Sequence, residues 1–207
     1  MKPDGKGDDA ARRWFEKLLV RVGLPAELSQ AVIDWQDVDD ETSGAMGAES
    51  SIYQGKEPAY LASNTKFHNV EELKLVRGFE GKKIDLIRPY VSALPEPTKI
   101  NINTAPALLL ASIDPKVDMK AVEQEIKANQ ANLTYFNNLD DLWKLNAFSG
   151  IDEQSKTDAG SLMDVQSNYF TAQIDVLLSE RKRQFTSSMA RKAPHVIVYS
   201  RSRAPYN

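Results

Sequence analysis

The sequence predicts an α+β fold: a large, mainly helical domain followed by a short antiparallel sheet. Three observations predict it. Apolar residues recur at helical spacing through the first part of the chain. A seven-residue pattern suited to a helix entry occurs twice, at 67–73 and 136–142. From Tyr169 onward the apolar residues alternate, which is strand spacing. The division that follows is a flexible polar start at 1–9, a helical domain over 10–165 and strands over 166–207.

Residues 11–22 place Trp14, Phe15, Leu18, Leu19 and Val22 on one helical face. Gly23 stops that helix, and Pro25 starts another with Leu28, Val32 and Ile33 inward. An acidic, glycine-containing loop runs from 34 to about 55. The repeated pattern then appears as Phe67-His68-Asn69-Val70-Glu71-Glu72-Leu73 and as Phe136-Asn137-Asn138-Leu139-Asp140-Asp141-Leu142. Asn69 and Asn138 are N-cap candidates, and the paired acids fall in the first turn, where the helix dipole favours negative charge. Two explanations stand: a duplicated helical unit, or one good cap arrived at twice.

Between the copies lies Ile100-Asn101-Ile102-Asn103-Thr104-Ala105-Pro106, which reads as a sharp strand-to-helix entry. Thr104 is expected to cap the helix, with Pro106 in its first turn. Near the end, Phe170, Ala172, Ile174, Val176 and Leu178 alternate with Thr171, Gln173, Asp175, Leu177 and Ser179. Two more strands are expected over 183–191 and 195–201, with Ser187-Ser188 and Ala193-Pro194 as turn candidates. Three strands alone have too little core and need another element over one face.

Composition narrows the functional classes. The chain has no cysteine, so disulfides and thiolate metal sites are excluded. With only His68 and His195, a zinc site would lean on carboxylates, an uncommon arrangement. The net charge of -3 argues against a general nucleic-acid binder. Charge is nevertheless uneven: no acid follows Glu180, while Arg181, Lys182, Arg183, Arg191, Lys192, Arg201 and Arg203 do. That tail suits either an anionic partner or solvated strand edges protected from aggregation. No apolar run approaches the about 18 residues a membrane span needs.

The densest acid cluster is Asp34-Trp35-Gln36-Asp37-Val38-Asp39-Asp40-Glu41, followed by Gly44, Gly47 and Glu49. Alternating carboxylates in a glycine-containing loop suit a hard cation. The candidate calcium ligands are Asp37, Asp39, Asp40 and Glu49, with Thr42 or nearby carbonyls as further oxygens. The alternative is a solvated loop in which Asp34 or Asp37 caps a helix. No motif of a hydrolase, kinase, metalloprotease or cysteine enzyme is present, so no catalytic residue is assigned.

The stretch from Ile100 to the second Phe-x-Asn pattern is similar to helix-hairpin-helix modules, which hold DNA phosphate on backbone N–H groups. Here the corresponding turn, Ser112-Ile113-Asp114-Pro115-Lys116-Val117-Asp118, lacks glycine and carries two acids. In the first copy Glu80 sits inside Gly78-Phe79-Glu80-Gly81. A degenerate nucleic-acid module is therefore the alternative reading.

A second resemblance spans about 10–199. Leu24-Pro25, Asp34-Trp35-x-Asp37-x-Asp39-Asp40, Gly47-Ala48-Glu49 with Tyr53, and Asn69-Val70-Glu71-Glu72-Leu73-x-x-Val76-x-Gly78 come in order. Arg88-Pro89-Tyr90-Val91, Ile100-Asn101-x-Asn103-Thr104-Ala105-Pro106 and Asn168-Tyr169-Phe170 follow. Together they resemble the K-type minor pseudopilins of the bacterial type II secretion system (general secretion pathway protein K). The resemblance implies a helical domain inserted in a pseudopilin-type antiparallel sheet, of which the C-terminal strands are present. It implies a non-catalytic component of the pseudopilus tip, starting the fibre with I-type and J-type minor pseudopilins for export across the outer membrane. Exported proteins are a further partner class. The family's helical domain binds calcium, which maps onto the acidic loop. The expected location is periplasmic, on an inner-membrane anchor. The family's leader and long apolar helix are not among these residues, so the chain is expected to be a fragment.

Overall fold

The computed structural model describes residues 8–203. Eight helices and five strands follow one another in it. Asp8 opens α1 (Asp9–Arg21), its carboxylate accepting from the N–H groups of Ala10 and Ala11. Of the expected flexible start, residues 1–7 lie outside the described residues, and Asp8 and Asp9 cap and begin this helix. Trp14, Leu18 and Leu19 are buried along one face, as their spacing requires. Gly23 ends the segment at φ +81, a left-handed conformation that glycine adopts without a Cβ penalty.

α2 (Leu28–Asp34) leads into the acidic loop, and α3 (Ser50–Gln54) leaves it. A 3-10 turn at Val70–Leu75, α4 (Lys83–Ile87) and a second 3-10 turn at Arg88–Tyr90 follow. Next come β1 (Ile100–Asn101), α5 (Ala107–Ala111) and α6 (Met119–Ala131). α7 (Leu139–Trp143), a 3-10 turn at Asn146–Phe148, α8 (Glu153–Leu162) and β2 (Met163–Asp164) complete the helical part. β2 returns to pair in parallel with β1, matching Ile100 to Met163 and Asn101 to Asp164. The core of this part gathers Leu19, Tyr53, Phe79, Leu110, Leu142 and Phe148, each at most 1% exposed.

Both repeat copies start with an asparagine cap. Asn69 accepts from Glu71 N, and Asn138 accepts from Asp141 N. In each, the acid of the first turn reaches back to the residue before the asparagine: Glu72 accepts from His68 N and Asp141 from Asn137 N. The first copy nevertheless winds as a 3-10 turn and the second as α7.

The helix entry at 100–106 differs from its expectation. α5 begins at Ala107 with Pro106 as its flanking residue, and no side chain caps it. Thr104 instead donates its hydroxyl to Asn101 O at 3.3 Å. The cause is Asn101, whose side chain accepts from Asn103 N and whose carbonyl accepts from both Thr104 N and Ala105 N. Asn103 ties three segments together: its side-chain oxygen accepts from Phe136 N at 2.8 Å, and its amide donates to Phe136 O and Val165 O.

The described residues form two compact units, dividing after Val165. The second is an antiparallel meander of β3 (Tyr169–Leu178), β4 (Arg181–Lys192) and β5 (His195–Ser202). Ala193-Pro194 makes the second turn, as expected. Ser187-Ser188 does not make a turn: it lies inside β4, opposite Ala172 and Thr171, with an irregularity of register at Ser188/Met189 toward β5. The first turn is Ser179-Glu180, where Ser179 takes φ 55. On one face Phe170, Ile174 and Val176 stand opposite Met189, Phe185 and Arg183, and the three β3 residues are each more than 40% exposed.

Candidate metal centre

The loop between α2 and α3 is folded around a buried carboxylate. Asp34 ends α2 fully buried and accepts from Ser43 N at 3.0 Å and from Ala48 N at 2.7 Å. Gln30, one turn earlier on α2, accepts from Met46 N at 2.9 Å. Gly47 passes so close to Asp34 that any Cβ there would collide with its carboxylate. Arg77 closes the outside by donating to Gly47 O at 3.0 Å. Below the loop, Trp35 packs edge-on against Tyr53 with ring centroids 5.1 Å apart.

This clasp brings Asp37, Asp39 and Glu49 together, with one carboxylate oxygen from each lying within 4.8 Å of the others. Asp37 and Asp39 leave α2 on the loop, while Glu49 enters as the residue before α3. The loop thus joins Glu49 to positions ten and twelve residues earlier in the sequence. Of the other two expected ligands, Asp40 is exposed and is not one of these three carboxylates, and Thr42 is exposed on the same loop.

The electrostatics of the trio are unusual. Glu49 is 3% exposed, and neither of its carboxylate oxygens has a hydrogen-bond partner. One oxygen of Asp37 is also buried without a partner. Burial, with Asp34, Asp37, Asp39 and Asp40 nearby, pushes the Glu49 carboxyl up to about 7. Burial and the charges of Asp39 and Asp34 push Asp37 up to about 6. Three orphaned, partly desolvated carboxylate oxygens are costly unless a positive charge meets them. An all-oxygen donor set in a loop fits calcium better than a transition metal.

Composition and spacing pointed to Asp37, Asp39 and Glu49, but not to what holds them. Asp34 as the clasp, Gln30 as its companion and the close approach at Gly47 depend on contacts across the loop. Their only trace in the sequence is the pair of glycines, Gly44 and Gly47, in an acidic loop.

The helix-hairpin-helix alternative finds no support at its two turns. Gly78 N, the phosphate-binding donor in such a module, is taken at 2.8 Å by the chain's own Glu80. In the second turn Asp114 occupies Lys116 N at 2.8 Å.

Fold and site together define an α+β protein whose helical unit carries a candidate hard-cation centre. Residues 1–96 and 100–164 match two family models that share the description type II secretion system protein K. The type II secretion system protein K of Pseudomonas aeruginosa is 33% identical over 195 residues, 92% of this chain and 54% of that protein. Its namesake in Aeromonas hydrophila is 28% identical over 200 residues, 93% of this chain and 58% of that protein. In fold, the chain is similar to one in the crystal structure of the GspK-GspI-GspJ complex from the enterotoxigenic Escherichia coli type 2 secretion system. That match has a TM-score of 0.79 and 20% identity, and covers 97% of this chain and 73% of that one. The chain belongs to the type II secretion system protein K family, whose members are components of that system. It spans about half the length of the curated relatives it matches.

Proposed function

We propose that this chain is part of a minor pseudopilin that sits at the pseudopilus tip and assembles with I-type and J-type minor pseudopilins. Its work is docking rather than catalysis, and it acts in the periplasm as part of an inner-membrane-anchored protein that starts the fibre for export. The observation that carries this reading is the likeness, over 97% of the chain, to a protein solved in complex with GspI and GspJ. Among the described residues no helix is long and apolar enough to cross a membrane. Mixing the purified chain with I-type and J-type pseudopilin domains from the same bacterium should give a single complex in size-exclusion chromatography. Separate elution of all three at micromolar concentration overturns the reading.

The same proposal gives the loop a calcium ion held by Asp37, Asp39 and Glu49. Asp40, Thr42 and backbone carbonyls are available on the same loop for the rest of the shell. When bound, the ion supplies positive charge against these carboxylates. The chain's own part is to keep Asp37 and Glu49 desolvated, and to pin 43–48 through Asp34 so that the carboxylates cannot spread apart. The support is the set of orphaned oxygens on Glu49 and Asp37. Calorimetric titration should show calcium binding that is lost in Asp37→Ala/Asp39→Ala. No heat in the wild-type chain at millimolar calcium counts against the site.

A further inference from the structure

Arg21, in the last turn of α1, has one guanidinium nitrogen at the focus of four backbone carbonyls. Its Nη2 lies 3.1 Å from Ala111 O, 3.0 Å from Asp114 O, 3.1 Å from Pro115 O and 2.6 Å from Val117 O. One turn earlier, Lys17 Nζ donates to Ile113 O and to Ser155 Oγ, both at 2.8 Å. Five carbonyls of the turn between α5 and α6 therefore point at two cations of α1. Ala111 O is a last-turn carbonyl of α5 with no intrahelical partner, while the other four belong to the irregular turn that follows, where Asp114 O also accepts from Val117 N at 3.1 Å.

An NH2 group carries two protons, so it cannot make linear hydrogen bonds to four oxygens at once. What the four oxygens share is the positive charge. Neutral carbonyls converging on one point at such distances are the ligand set of a large, weakly hydrated monovalent cation, whose water shell they replace. A divalent ion would ask for carboxylates. The carboxylate of this turn, Asp114, is turned away onto Lys116 N. We propose that the 111–117 turn is a carbonyl site for a monovalent cation of potassium size, and that the guanidinium of Arg21 is its built-in occupant. The tethered cation holds the turn in shape and closes it to free ions.

The test compares the wild-type chain with Arg21→Ala, both with excess calcium, in thermal melts. Each is run in about 0.2 M potassium, rubidium, sodium or tetramethylammonium chloride, at one ionic strength. The wild type should melt at one temperature in all four salts. Arg21→Ala should melt several degrees lower in tetramethylammonium and regain about 3 °C or more in potassium or rubidium. Equal midpoints for the variant in potassium and tetramethylammonium overturn the proposal. So does a wild type that gains as much from potassium as the variant does. If Arg21→Ala folds in none of the salts, Arg21→Met, which keeps the aliphatic stem, goes through the same series. A methionine variant that gains nothing from potassium, folded or not, overturns the proposal as well.

Discussion

Glu49 presents two buried carboxylate oxygens that no protein donor reaches, and this decides how the loop responds to pH. Its folded-state value of about 7 lies above the ordinary 4.5, so the folded chain holds a proton that the unfolded chain has released. Stability then falls as pH rises from about 4.5 through about 7, because the unfolded state binds fewer protons over that window. Asp37, pushed up to about 6, adds to the same trend. In chelator the melting temperature should therefore drop between pH 5 and 7.5, and excess calcium should remove that drop. A chelated chain with a flat profile contradicts the burial argument. Glu49→Gln removes the charge but keeps the shape: it should weaken calcium binding at least about tenfold, which is 1.4 kcal/mol, while melting no lower than wild type in chelator at pH 7.5. Asp34 is the opposite case, because its oxygens are already satisfied by Ser43 N and Ala48 N. Asp34→Asn turns an amide N–H toward one of those donors and should cost about 2 kcal/mol by urea unfolding, with or without calcium.

Helix caps and strand entries show what was legible in the sequence and why the rest was not. The asparagine caps at Asn69 and Asn138 were readable because every partner lies within four residues. The switch from helical to strand spacing at Tyr169 was readable for the same reason, since periodicity is local. Thr104 was misassigned because Asn101 competes for the same backbone groups, and a propensity for capping does not say which polar side chain wins. Ser187-Ser188 suits a turn by composition, but ladder pairing with β3 holds it extended. Within the acidic loop the carboxylates were visible, whereas the clasp by Asp34 and the exposure of Asp40 and Thr42 depend on how the loop closes. The role of Asn103 was hidden most fully, because its partners Phe136 and Val165 are remote in sequence. These differences rank three variants. Asn69→Ala and Asn138→Ala should each cost about 1 kcal/mol, the ordinary loss of a cap. Asn103→Ala strands Phe136 N and two carbonyls, and should cost about 2 kcal/mol or more. Chemical denaturation of the three proteins in parallel checks the order, and an Asn103 variant as stable as the two cap variants would contradict it.

The two compact units are unequal in what they bury. The helical unit has a continuous core from Trp14 to Met163, and every member of the candidate metal centre lies within it in sequence. The strand unit has little interior: among its described residues only Ser187 and Ala190 are buried. Phe170, Ile174, Val176, Val196 and Val198 all remain more than 40% exposed. A three-stranded meander with this little burial cannot offset the entropy of ordering its chain. Residues 1–165 alone should therefore unfold in one cooperative transition and keep the calcium-dependent rise in melting temperature. Residues 166–207 alone should show no cooperative transition, and should associate through the apolar face as concentration increases. Circular dichroism melts of the two pieces, with sedimentation of the second, test this directly. If residues 1–165 melt without cooperativity, the helical core depends on the strands and the division of labour drawn here is wrong. If residues 166–207 fold as a monomer, the exposed face needs no partner to be stable.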